Sequence, residues 1–76
     1  MPAIVFDFSA LRGRIVERFG NYAKFAEAVD MSRAQVSERL KNKVSFKPDD
    51  IHRICSADVL DIPATDIGRY FFTPKV

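Results

Sequence analysis

Apolar residues recur three and four positions apart along most of this chain, a spacing that gathers them on one face of a helix. Leu11, Ile15, Val16 and Phe19 make the first such stripe. They predict a helix over residues 10–19, with Ser9 as its N-cap and Gly20 as its stop. Phe25, Ala26 and Val29 make the second stripe, on a helix over 22–29 capped by Asn21. Asp30 and Met31 then break the pattern too briefly for a real loop. Ser32 opens a third helix over 33–41, with Gln35 placed to complete a capping box and Val36 and Leu40 pointing inward. Two short amphipathic helices joined by a tight turn outline a helix-turn-helix. Further along, Pro48 suits the first position of a fourth helix carrying Ile51, Ile54 and Cys55 inward, which frays over 57–60. After the turn Asp61-Ile62-Pro63, residues 64–70 read as a fifth helix with Ile67 inside. Residues 1–7 read as an extended arm, kept out of any helix at its start by Pro2.

Composition narrows this picture to one small soluble domain. The 76 residues are 47% apolar and 29% charged, the balance of a globular protein. The expected layout is a single domain over 1–76, with an arm at 1–8, the helix-turn-helix at 22–41 and a tail at 73–76. No apolar run reaches the roughly 20 residues of a membrane span, and Ile4-Val5-Phe6 is too short for a signal-peptide core. No membrane partner is expected, and a cytoplasmic setting in a bacterial host fits. The single cysteine, Cys55, cannot pair within the chain and reads as a small core hydrophobe. His52 has no companion at metal-ligand spacing and reads as a surface residue. Paired carboxylates, a nucleophile–base set and a glycine loop are all missing, so neither catalysis nor a cofactor is expected.

Net charge is only +2, so its distribution is the more informative quantity. Lys41, Lys43 and Lys47 follow the third helix closely, whereas Asp49, Asp50, Asp58, Asp61 and Asp66 gather in the last third. That asymmetry suggests that one face meets an anion and another does not.

The stretch from Phe25 to Leu40 resembles the helix-turn-helix of phage repressors and Cro-like proteins. Ala26 matches the small residue at the helix crossing, Met31 the apolar turn residue, and Val36 the anchor of the recognition helix. Asp30 stands where that family has glycine, so it must adopt a positive φ. Tyr22 replaces the glutamine that opens the second helix in many relatives. The segments Phe6-Asp7-Phe8-Ser9, Lys43-Val44-Ser45-Phe46 and Asp61-Ile62-Pro63 through Tyr70-Phe71-Phe72 extend the likeness. They are similar to small proteins of Gram-positive phages and prophages, both Cro-like lytic-switch proteins and modulators of repression. The implied fold is an all-α, five-helix, lambda-repressor-like DNA-binding domain.

On the third helix Arg33, Ser37 and Lys41 follow at four-residue steps, with Ala34 and Glu38 beside them, on an arc facing away from Val36 and Leu40. The resemblance implies base reading in double-stranded DNA by Arg33, Ala34, Ser37 and Glu38. Phosphate contacts are expected from Asn21, Tyr22 and Lys24 at the start of the second helix, and from Lys41, Lys43 and Lys47 on the other side. Tyr70, Phe71 and Phe72 read as core or dimer contacts rather than as a stacking platform for bases. Two functions follow. The first is a phage-type transcriptional regulator that binds operator DNA as a homodimer and takes part in a lysis–lysogeny switch. Its dimer surface would be drawn from Ile4-Val5-Phe6 or the aromatic tail. The alternative is an antirepressor that binds a phage repressor protein and blocks its DNA binding, favoured by the modest charge, Glu38, Tyr22 and Asp30.

Overall fold

A computed structural model of the chain describes residues 5–75, so the residues of the arm before Val5, with Pro2 and Ile4, and the final Val76 lie outside the described residues. Five α-helices follow in order: α1 (Ser9–Phe19), α2 (Tyr22–Ala28), α3 (Arg33–Leu40), α4 (Pro48–Ile54) and α5 (Ile67–Phe71). A 3₁₀ turn, Ala64–Asp66, leads into α5, so the last helix starts tighter than predicted and runs on to Phe71. Among the described residues there is no strand, and the chain is all-α. The single β-like feature among the described residues is an antiparallel bridge between Phe6 and Pro74.

Each helix end has a local cause. At α1 the expected N-cap is displaced by one residue. Ser9 is already helical and Phe8 occupies the cap position. Phe8 is buried in the core, which sets the entry of the chain, and capping passes to Asp7, whose carboxylate accepts from the Ser9 amide at 2.9 Å and from the Ser9 hydroxyl. These bonds hold the Asp7 carboxyl below its ordinary pKa. Gly20, at φ 80°, ends α1 as predicted. Asn21 caps α2 by accepting from the Lys24 amide at 2.9 Å. Helix α2 stops at Ala28, one residue short of the prediction, because the Asp30 amide donates to Glu27 O and the Met31 amide to Ala26 O with Asp30 at φ 57°. That paired pattern with a left-handed residue between is a Schellman motif, and Asp tolerates the left-handed region better than most residues.

The same device closes α3 at Leu40, leaving Lys41 outside the helix. The Asn42 amide donates to Arg39 O and the Lys43 amide to Glu38 O, with Asn42 at φ 64°. The N-terminus of α3 has the capping box that Ser32 and Gln35 predict, with both bonds made. Pro48 opens α4, and the Asp50 carboxylate accepts from the Lys47 amide at 3.0 Å. Asp50 also pairs with Arg39 at 3.3 Å, both side chains being nearly buried.

The core joins Leu11, Ile15, Phe25, Ala26, Val29, Val36, Leu40 and Ile54, largely as the stripes predict. Val16 departs from its predicted stripe. It is 50% exposed, sitting about 100° around α1 from Ile15, which is fully buried. The stretch 57–60, expected to fray after α4, puts Val59 and Leu60 into the core, and Ile62 of the following turn is buried as well. Arg18 and Arg14 on α1 donate to the carbonyls of Val59 and Leu60, tying this turn down. Ile67 and Cys55 are only half-buried. Burial raises the Cys55 thiol above its ordinary pKa.

An aromatic chain closes the far end of the molecule. Phe71 meets Phe46 edge to face at 5.2 Å, Phe46 meets Phe8 at 5.3 Å, and Phe6 meets Phe72 at 5.7 Å. The segment around Phe6 is held on both edges. On one side Asp7 N–H donates to Thr73 O and Lys75 N–H to Val5 O, each at 2.8 Å. On the other, the Asn42 carboxamide accepts from Phe6 N–H and donates to Phe6 O, both at 3.0 Å. Asn42→Gly keeps the backbone turn and removes both side-chain bonds. It should cost about 1–2 kcal/mol and speed exchange of the Phe6 amide by roughly tenfold or more. Hydrogen exchange followed by NMR checks this; unaltered Phe6 protection would refute the clamp.

Candidate functional site

Helix α3 turns Val36 and Leu40 into the core and so commits the opposite arc to solvent. Arg33, Ala34 and Glu38 are exposed, Ser37 is half-buried, and Lys41 is exposed just beyond the helix end. Arg33 makes no hydrogen bond to a described residue. The arc predicted from the sequence is therefore where the spacing places it.

Beside this arc lies a groove of about 300 Å³ lined by Arg12, Tyr22, Arg33, Ala34, Val36, Ser37 and Leu40. It continues into a shallower depression formed by Val16, Gly20, Asn21, Tyr22, Ala23 and Arg33. Tyr22 and Arg33 line both. The combined surface runs from α1 across the start of α2 to α3, and its walls are largely apolar or small. Tyr22, expected to stand in for a phosphate-binding glutamine, is half-buried and forms the shared wall.

The other expected phosphate contacts are dispersed. Asn21 is exposed, but its side-chain oxygen is already used in capping α2. Lys24 lines a separate depression with Phe19, Glu27 and Ala28. Lys41 faces the arm, in a cleft with Val5, Asp7 and Lys75 among its neighbours. Lys43 and Lys47 are exposed in the connection between α3 and α4. None of these four lysines lines the grooves that contain Arg33.

Sequence reasoning did not anticipate how much of the positive charge is spent inside the fold. Arg12 donates to Leu40 O at 3.2 Å, capping α3, and Arg53 donates to Val29 O at 2.8 Å, capping α2. Arg14 and Arg18 hold Leu60 O and Val59 O, and Arg39 holds Gln35 O and Asp50. Five of the 12 basic residues are thus engaged in tertiary staples. Only Arg33 of the arginines stands on the outer arc of α3. Val16 and Arg12 were also missed as parts of this surface.

Among the described residues no group of three His, Cys, Asp or Glu is placed to hold a metal ion, and no helix is long and apolar enough to cross a membrane. The Phe6 and Phe72 rings, expected as dimer contacts, pack on one another within the chain.

The chain is similar to a protein whose solution structure is known, the modulator of repression of the temperate bacteriophage TP901-1 from Lactococcus lactis. The two are 39% identical over 88% of each chain, with a TM-score of 0.76. That likeness is to a phage modulator of repression and is not specific to Cro-like regulators. No curated protein matches the chain significantly. A family model matches residues 4–74, nearly the whole length, and the chain belongs to that family, described as Protein of unknown function (DUF739).

Proposed function

We propose that this protein is an antirepressor: it binds a phage repressor protein through the α1–α3 surface and blocks that repressor's hold on DNA. The observation that carries this reading is the make-up of the surface. Val16, Tyr22, Ala23 and Ala34 supply a continuous apolar and small-residue area, with two guanidiniums, Arg12 and Arg33, on it and the exposed carboxylate of Glu38 on the same arc of α3. Protein interfaces combine an apolar centre, an aromatic and an arginine in this way. Duplex DNA demands a different surface, since affinity for it comes chiefly from neutralising phosphates with several converging cations. Here the lysines are scattered and five arginines are bonded to acceptors within the fold. Likeness to a phage modulator of repression supports the same conclusion. The setting would be the host cytoplasm, where repressor and operator meet.

Direct, Cro-like binding of operator DNA is the second reading, favoured by the exposure of Arg33, Ala34 and Glu38 along the N-terminal turns of α3. In that case Ser37 would join them in base reading, with Asn21, Tyr22, Lys24, Lys41, Lys43 and Lys47 on phosphates, and a homodimer would match a palindromic site.

A gel shift with labelled operator separates the two. At about 150 mM salt the chain alone should leave the operator unretarded, because too few cations converge to survive counterion competition. Added to a preformed repressor–operator complex, it should release the DNA. Specific retardation by the chain alone, with the repressor undisturbed, would overturn the proposal.

A further inference from the structure

On the opposite flank of α3 lies a second candidate surface, which the antirepressor reading does not use. Arg39 projects roughly 200° around the helix from Ser37. It lines a slot of about 190 Å³ with Phe8, Phe46 and Phe71 at its base and Val44 and Phe72 at its lips. Phe8 and Phe71 are buried, whereas Val44 is 36% and Phe72 49% exposed. The slot is preformed, because the Asn42 clamp and the pairing with the tail hold Phe6 in its wall. An apolar cavity of about 150 Å³ accommodates a benzene molecule, so this one has room for a single aromatic or branched side chain.

Charge selects the kind of chain that would bring that side chain. No carboxylate lines the slot. Arg39 is nearly buried and spent on Asp50 and Gln35 O, so it shapes the slot's wall and the charge left for a partner is that of the lysines beside it. Lys43 and Lys47, both exposed, bracket the Val44–Phe46 lip. A second copy seated slot to slot would set these lysines against their equivalents, which like-charge repulsion disfavours.

We infer that this slot docks an acidic protein segment through one aromatic or branched apolar anchor, with its carboxylates on Lys43 and Lys47. The slot shares no lining residue with the grooves at Arg33, so the two surfaces work independently.

The test is an NMR titration of the full ¹⁵N-labelled chain with the peptide acetyl-Glu-Asp-Glu-Phe-Asp-Glu-amide. Shifts should fall on the Phe6, Val44, Ser45, Phe46 and Phe72 amides. Replacing the peptide phenylalanine by alanine, or all its acids by lysine, should weaken binding about tenfold each. Val44→Glu, at an exposed lip, should abolish the shifts while leaving Tm and release of operator from the repressor unchanged. That last measurement keeps failure of the slot distinct from failure of the antirepressor reading. Absent shifts, equal binding of acidic and basic peptides, or shifts centred on Arg33 would each overturn the inference. So would slot shifts that grow with protein concentration alone, which would assign the slot to a second copy.

Discussion

Phe71→Ala should cost about 3–5 kcal/mol and leave much of the population unfolded at room temperature. Phe71 is 2% exposed at the end of α5 and meets Phe46 edge to face, which in turn meets Phe8. Truncation would open a cavity where the last helix, the α3–α4 connection and the entry to α1 converge, and would also remove an aromatic pair worth about 1 kcal/mol. Small domains sit near the low end of the usual range of about 5–15 kcal/mol, so little stability would remain. Urea unfolding followed by circular dichroism measures the effect. Phe71→Leu, which keeps most of the volume, should stay folded with a loss of about 1–2 kcal/mol. A midpoint for Phe71→Ala equal to that of the parent would show that the aromatic chain does not support the fold.

Arg33→Ala should have the largest effect on function at the least cost in stability. The side chain is exposed and bonds to no described residue, so Tm should move by the equivalent of at most about 0.5 kcal/mol. If the α1–α3 surface seats a repressor, Arg33 stands beside Tyr22 at the junction of its two grooves. Loss of a central arginine next to an aromatic wall should weaken the complex on the order of tenfold to a hundredfold. Calorimetric titration of the repressor with each form gives the number. Affinity unchanged within about twofold would remove this surface from the complex. Under the direct DNA reading the same variant would instead lose discrimination at one base position, so the two measurements distinguish the readings.

Much of the fold was legible because the rules involved are local. Helical spacing located α1 to α4, and Ser32 with Gln35, Asn21, Gly20 and Pro48 marked their ends, since caps act within three or four residues of themselves. The positive φ at Asp30 followed from the resemblance, in which glycine holds that turn position. The outward arc of α3 followed from the inward placement of Val36 and Leu40. Errors of one residue came from competition between local signals. Ser9 lost its cap role because buried Phe8 holds the chain at that point, and Schellman closure ended α2 and α3 one residue early.

What the pattern could not reveal depends on partners distant in sequence. Val59, Leu60 and Ile62 carry no helical period, yet they pack in the core, and Arg14 and Arg18 tie the Leu60 and Val59 carbonyls from more than 40 positions away. Val16 looks like core and is surface, since exposure depends on what the next helix brings against it. The balance of free charge was equally hidden. An arginine is counted the same in the sequence whether it faces solvent or caps a distant helix, and only packing decided that Arg12, Arg14, Arg18, Arg39 and Arg53 serve the fold. Local residue order therefore determined the helices, their caps and the outward stripe of α3. Tertiary structure decided which charges remained for a partner, because long side chains find their hydrogen-bond acceptors across space rather than along the chain.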